Sequence, residues 1–180
     1  DDLPALVESI HADDRADFTV FPPGERDEYL VADFIHPLDW RNRRVVGFDL
    51  FSEQVRRDAI VAARDSGNPT LTGPIRLKQE TDQNGQVGVL LFLPMYKVGA
   101  PITTIEERRA AFVGTVHGAF RLTDLVEGIL ASRSPLFQLQ LFDAAEPNQP
   151  LLVGRAPVSR DAEFHNNRSM YMYGRSWQLD

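Results

Sequence analysis

Two strand-like runs, Thr70 to Lys78 and Val87 to Tyr96, flank Asp82-Gln83-Asn84-Gly85. Asn-Gly tolerates the positive φ angles of a tight hairpin turn, so this feature commits the middle of the chain to antiparallel pairing. The helix in front of it is bounded with equal clarity. Ser52 reads as its cap, and Gly67 followed by Pro69 stops it after Ser66. Behind the hairpin, Thr103-Thr104-Ile105-Glu106 has capping-box spacing and opens a short helix through Arg109. Ala111 to Arg121 follows as a strand, and Thr123 caps a helix through about Ala131. On the N-terminal side, Leu3, Leu6, Val7 and Ile10 recur at helical spacing, ending in His11 to Arg15. Phe18 to Phe21, Tyr29 to Ile35 and Arg44 to Phe48 read as strands, the first stopped by Pro22-Pro23-Gly24. Ser132-Arg133-Ser134-Pro135 is a junction, and beyond it Phe137–Phe142, Leu151–Val153, Ser169–Tyr173 and Gly174–Leu179 are strand-like. The expected fold class is α+β, hairpin-rich, with a change of unit near Ser132 and too few βαβ alternations for a doubly wound sheet.

Length and composition narrow the function. At 180 residues the chain holds one domain or two small ones, and its 43% apolar and 25% charged residues are ordinary for a globular protein. A net charge of −7 argues against a nucleic-acid partner. The seventeen Arg against two Lys still leave room for a local anion site, because guanidinium binds carboxylates in a planar, two-pronged way. Cysteine is absent, which removes disulfides, thiol catalysis and thiolate metal sites. His11, His36, His117 and His165 are scattered without metal-ligand spacing, and no nucleophile elbow or glycine-rich phosphate loop is present. Asp49 and Asp65 are candidate acids without an identifiable partner. No reaction, metal or cofactor is therefore expected. Neither a signal peptide nor an apolar run near the ~20 residues of a membrane span is present.

One residue stands out. At ~100° per residue, Val55, Ala59, Ile60, Ala62 and Ala63 share an arc of the Ser52–Ser66 helix, and Arg56 projects inside it. A guanidinium there either finds an internal carboxylate such as Asp49 or Asp33, snorkels along its stem to water, or waits in a pocket for a ligand's oxygen atoms.

Several motifs in order resemble one family. They are Gly47-Phe48-Asp49-Leu50, Arg57, Ala59-Ile60 and Ala63-Arg64-Asp65-Ser66-Gly67. Pro69 to Leu77, Leu91-Phe92-Leu93-Pro94-Met95-Tyr96, Glu106 to Arg109 and Gly114 to Phe120 continue the series, and Gly174 to Leu179 looks like the closing strand. Upstream, Ile35-His36-Pro37 through Asn42 also agrees. The set, spanning roughly residues 18 to 180, resembles the CHASE domain, the extracellular sensory domain associated with cyclases and histidine kinases. The resemblance implies a stalk helix followed by two PAS-like units, outside the membrane and between two transmembrane helices. Residues 1–15 would be the end of the stalk, 16–131 the membrane-distal ligand-binding unit and 132–180 the proximal unit. It further implies a small-molecule ligand, a homodimeric receptor, membrane contact only through flanking helices, and a cytoplasmic histidine kinase or nucleotide cyclase as output. A bacterial, periplasmic setting is the expectation.

Carried over by position, the ligand site would comprise Leu50, Arg56, Ile60, Thr72, Lys78, Leu90, Phe92, Thr115, Gly118 and Ala119. In plant members a carboxylate stands where Arg56 stands here, so the resemblance implies reversed charge and a donor-only group at that point. Phe92 replaces a smaller polar residue and narrows its wall. Apolar walls, one guanidinium and one or two hydroxyls suit a small oxygen-rich or anionic ligand. Two other readings stay open: a ligand-free structural module whose pocket is filled by Phe92 and Arg56, and an enzyme using His117 as a base beside Arg56.

Overall fold

The computed structural model describes residues 3–13, 15–81, 85–130, 139–146, 150–153 and 166–180. Among these residues four helices and eight strands form an α+β arrangement. In chain order they are α1 (Leu3–Ala12), α2 (Gln54–Ser66), β1 (Thr70–Leu71), β2 (Ile75–Arg76), β3 (Val87–Tyr96), α3 (Ile105–Ala111), β4 (Phe112–Arg121), α4 (Leu122–Leu130), β5 (Gln140–Asp143), β6 (Pro150–Val153), β7 (Arg168–Met172) and β8 (Arg175–Leu179). The first sheet pairs β1, β2 and β4 with β3, all antiparallel. The second has the order β6-β5-β8-β7, also antiparallel. Among the described residues no helix is long and apolar enough to cross a membrane.

The expected hairpin is present with a refinement. Its first strand breaks at Gly73-Pro74 into β1 and β2, which share one edge of β3. Pro74 has no N–H to give a ladder. Thr72, between the pieces, keeps the pairing: its amide donates to the Leu90 carbonyl, and its hydroxyl accepts from the Leu90 amide, both at 2.9 Å. Asp82 to Asn84 of the turn, and the Ser132 to Pro135 junction, lie outside the described residues.

The three N-terminal strands expected from the sequence are not built. Phe18–Phe21 and Tyr29–Ile35 reduce to single bridges, Phe21 to Phe48 and Val31 to Asp49. Arg44–Phe48 begins instead in a short 3-10 turn, Asn42–Val45. The prolines at 22 and 23 offer no amides, and the pairing capacity of both segments goes to one hub. Gly47 to Leu50 threads between them, with Phe21 N to Gly47 O at 2.9 Å and Leu50 N to Leu30 O at 2.8 Å. Gly47 has φ +86°, and a Cβ there would collide with the Thr19 carbonyl, so the crossing demands glycine.

Three helix starts also shift by a residue or more: α4 opens at Leu122, so Thr123, expected as its cap, lies inside the helix. Ser52 ends a second 3-10 turn, Leu50–Ser52, whose cap is Asp49 accepting from Phe51 N at 3.1 Å. The residue ahead of α2 is Glu53, and its side chain caps nothing. At α3 the capping box uses Thr104 and Glu107, not Thr103 and Glu106. Gly67 ends α2 as expected, in the left-handed conformation with its N–H on the Ala63 carbonyl.

Alternation along β3 builds two apolar clusters. Leu90 and Phe92 face α2 and the N-terminal hub, joining Phe48, Leu50, Ile60 and Leu77. Val89 faces the other way and, with Leu71 and Leu122, meets Leu141 and Trp177 of the second sheet. Each fully buried Phe or Ile here contributes about 1.5–3 kcal/mol. The Arg175–Asp143 ion pair adds a polar tie between β8 and β5, its guanidinium lying against Gly73.

Candidate functional site

The buried face of α2 is Arg56, Ala59, Ile60 and Ala63. That is the i, i+3, i+4, i+7 stripe of a helix lying on a sheet. Val55 and Ala62, placed in the apolar arc by the sequence, are exposed. Arg56 is therefore the first member of the buried stripe, 2% exposed.

Its guanidinium is held in three ways. One Nη pairs with Glu53, one turn earlier. The other donates to the Arg76 carbonyl at 3.1 Å. Cζ lies 5.4 Å from the centre of the Phe48 ring, a cation–π distance. Neither carboxylate expected as an internal partner is used. Asp49 is committed to the amides of Leu30 and Phe51 and lies 3.3 Å from Arg26, while Asp33 pairs with Arg15. Burial brings the Arg56 pKa down to about 10, so it remains a cation at neutral pH.

Lys78 completes the cluster. Its Nζ is 2.6 Å from the second Glu53 oxygen and 4.5 Å from the Phe48 ring centre. Burial, and then the Arg56 charge, lower its pKa. On the sheet side, β4 places His117 opposite Phe92, ring centres 5.2 Å apart. Burial, followed by the Arg56 charge, lowers the His117 pKa, which favours the neutral ring.

The ten residues singled out by the sequence do not all converge here. Leu50, Ile60, Leu90 and Phe92 are buried in the cluster that backs Arg56. Thr72 is fully buried, its hydroxyl occupied by the Leu90 amide. Thr115 and Ala119 pair with Pro94 and Leu90 and so share the His117 face, Ala119 being exposed. Gly118 alternates to the opposite face, where the edge of the Phe120 ring lies 3.1 Å from the position a Cβ would take. The sequence reading missed Glu53 and Phe48. Glu53 stands three residues before Arg56, the spacing at which helical side chains meet, so it carried a readable signal. Phe48 carried none, because its ring arrives from a loop.

A cleft of about 680 Å³ opens beside the cluster, with Glu53, Val55, Ile75, Arg76 and Lys78 among its walls and Arg44 at its edge. It joins solvent to the Glu53 and Lys78 heads, while Arg56 lies behind them. Among the described residues no three His, Asp or Glu side chains gather in a way that would hold a metal ion.

Comparison with known proteins gives a consistent picture. The CHASE domain family model matches residues 1–153. Histidine kinase 3 of Arabidopsis thaliana is 30% identical over 156 residues, 84% of this chain and 14% of that protein. Probable histidine kinase 4 of Oryza sativa subsp. japonica is 33% identical over 112 residues, 61% of this chain and 11% of that protein. The chain thus spans about an eighth of the length of these relatives. They are plant proteins and lend no support to the bacterial origin expected above.

Proposed function

The chain belongs to the CHASE domain family, and on that premise we propose that it is the extracellular ligand-binding part of a transmembrane receptor. Its sensor class follows from the family; the ligand and the architecture around it are our reading. Residues 16–131 form a PAS-like ligand-binding unit and 132–180 a second, membrane-proximal one. The full receptor is a homodimer whose output is a cytoplasmic histidine kinase, as the names of its relatives suggest, or a nucleotide cyclase. The ligand is a small molecule with a carboxylate or several carbonyl oxygens.

One observation carries this reading. Two cations, Arg56 and Lys78, share one carboxylate between α2 and β2, beside an open cleft. A desolvated guanidinium gives short, directional bonds to a carboxylate, and the apolar cleft wall of Val55 and Ile75 would take the rest of a small ligand. Contact with Lys78 or the Arg76 backbone would reach the C-terminal strand through few residues. The segment from β1 to β2 touches the β7–β8 turn, with Leu71 N on the Tyr173 carbonyl at 2.9 Å and Gly73 against Arg175. A ligand that favours one packing of this segment would bias β8.

The test is a thermal-shift screen against amino acids, organic acids, purines and cytokinins, on wild type and Arg56→Ala. A carboxylate compound at ~100-fold excess over its Kd should raise the wild-type midpoint by several degrees and leave Arg56→Ala unmoved. An adenine compound acting equally on both proteins would overturn the anionic reading. A second reading, a ligand-free structural module, is favoured by the complete burial of Ile60 and Phe92, which fill the space between α2 and the sheet. No binder in the screen, together with early melting of Arg56→Ala, is its expected result.

A further inference from the structure

Glu53 stands between Arg56 and Lys78. It occupies the cap position of α2, where a short Ser, Thr, Asp or Asn side chain ordinarily accepts from free helix amides, and its longer side chain makes no capping bond. Both of its oxygens are turned outward from that role, one on Arg56 and one 2.6 Å from Lys78. The cluster of two cations and one carboxylate keeps a net positive charge, and among the described residues no second carboxylate is paired with either cation. Exposure is unequal as well: the Arg56 side chain is 3% exposed, Glu53 37% and Lys78 38%. The guanidinium is thus the fixed part, and the carboxylate sits at the edge of the cleft with room to leave.

We propose that Glu53 is a built-in occupant of a carboxylate-binding site. Arg56 and Lys78 receive the carboxylate of an incoming ligand, and that ligand binds by displacing Glu53 into the cleft. The inference rests on the sensor reading above and adds its regulation. A tethered carboxylate competes at an effective concentration in the ~mM range or higher. Simple anions are therefore excluded, and only a molecule that adds contacts beyond its carboxylate opens the site. Glu53 directly precedes α2, so its displacement is coupled to the start of the central helix.

Acetate is the probe, compared with chloride at equal ionic strength, on wild type, Glu53→Ala and Glu53→Ala/Arg56→Met. Removal of the occupant should create a vacant site: the Glu53→Ala midpoint is expected to rise by about 2–4 °C more in acetate than in chloride. Wild type should not distinguish the two salts, and the double variant should lose the response. An equal acetate effect in all three proteins, or one that survives in the double variant, overturns the proposal. If Glu53→Ala fails to refold in chloride, soluble recovery is the readout: rescue by acetate supports the proposal, and equal failure in both salts overturns it. The two readings separate cleanly. An acetate response in Glu53→Ala with no binder in the wild-type screen removes the ligand and leaves the occupied site. A wild-type carboxylate binder without that response does the reverse.

Discussion

A buried guanidinium stays charged because giving up its proton costs more than finding acceptors, and Arg56 finds a carboxylate, a carbonyl and an aromatic ring. The desolvation cost of such a cluster is of the same order as its attraction, so its contribution to stability is small even though breaking it unevenly is expensive. Arg56→Met should therefore keep urea stability within about 1 kcal/mol of wild type, since Met fills the space and leaves Glu53 with Lys78. Arg56→Ala should lose about 2–4 kcal/mol through the vacancy beside Phe48, with an unchanged m-value in both. A Met variant as unstable as the Ala variant would mean that the charge itself holds the fold. The position was legible from helix periodicity, and so was the need for a partner. The partner was misread: Asp49 and Asp33 were the candidates, and Glu53, at helical spacing from Arg56, was passed over.

At the scale of elements, the C-terminal end of α2 is clamped to α3 and to β3. Asp65 bonds Arg109 at 2.5 Å and Arg64 at 3.0 Å, Arg108 donates to the Asp65 carbonyl at 2.7 Å, and the Tyr96 hydroxyl donates to the Arg64 carbonyl at 2.5 Å. The bond from Arg109, helped by Arg64 and opposed by burial, holds the Asp65 carboxyl at about 2. Its folded pKa lies below the unfolded value, so the clamp's contribution is complete above about pH 4 and fades as pH falls towards 2. Arg109 is half exposed, so solvent screens the pair and keeps the effect small. Asp65→Asn should flatten this acid limb of a stability–pH curve measured by urea unfolding. A limb of unchanged steepness would assign it to other carboxylates. Helix ends in this region were legible to within a residue because Gly67, Thr104 and Glu107 act locally. Ser52 misled because Asp49 three residues upstream organises a 3-10 turn that claims it.

Across the whole molecule the two sheets share an apolar core. Trp177 is 2% exposed and packs with Leu71, Val89, Leu122 and Leu141, which come from both sides of the 131–138 segment. Trp177→Ala should cost about 3–5 kcal/mol and melt both sheets in one transition, seen as coincident far-UV circular dichroism and near-ultraviolet absorbance curves. Two separated transitions would mean that the sheets hold themselves up independently. The sequence by itself determined the elements whose signals lie within a few residues: the hairpin strands, the α2 stop at Gly67, the β4 strand, and the presence of a cation on a buried helix face. Local backbone preference and side-chain periodicity decide these, and both can be read along the chain. Only the tertiary structure decided that the N-terminal strands dissolve into a hub around Gly47, that Gly118 turns away from Arg56, and that Glu53 spans Arg56 and Lys78 over the Phe48 ring. Those outcomes depend on which distant segment reaches a given amide or charge first, a competition settled by packing in space and not by spacing along the chain.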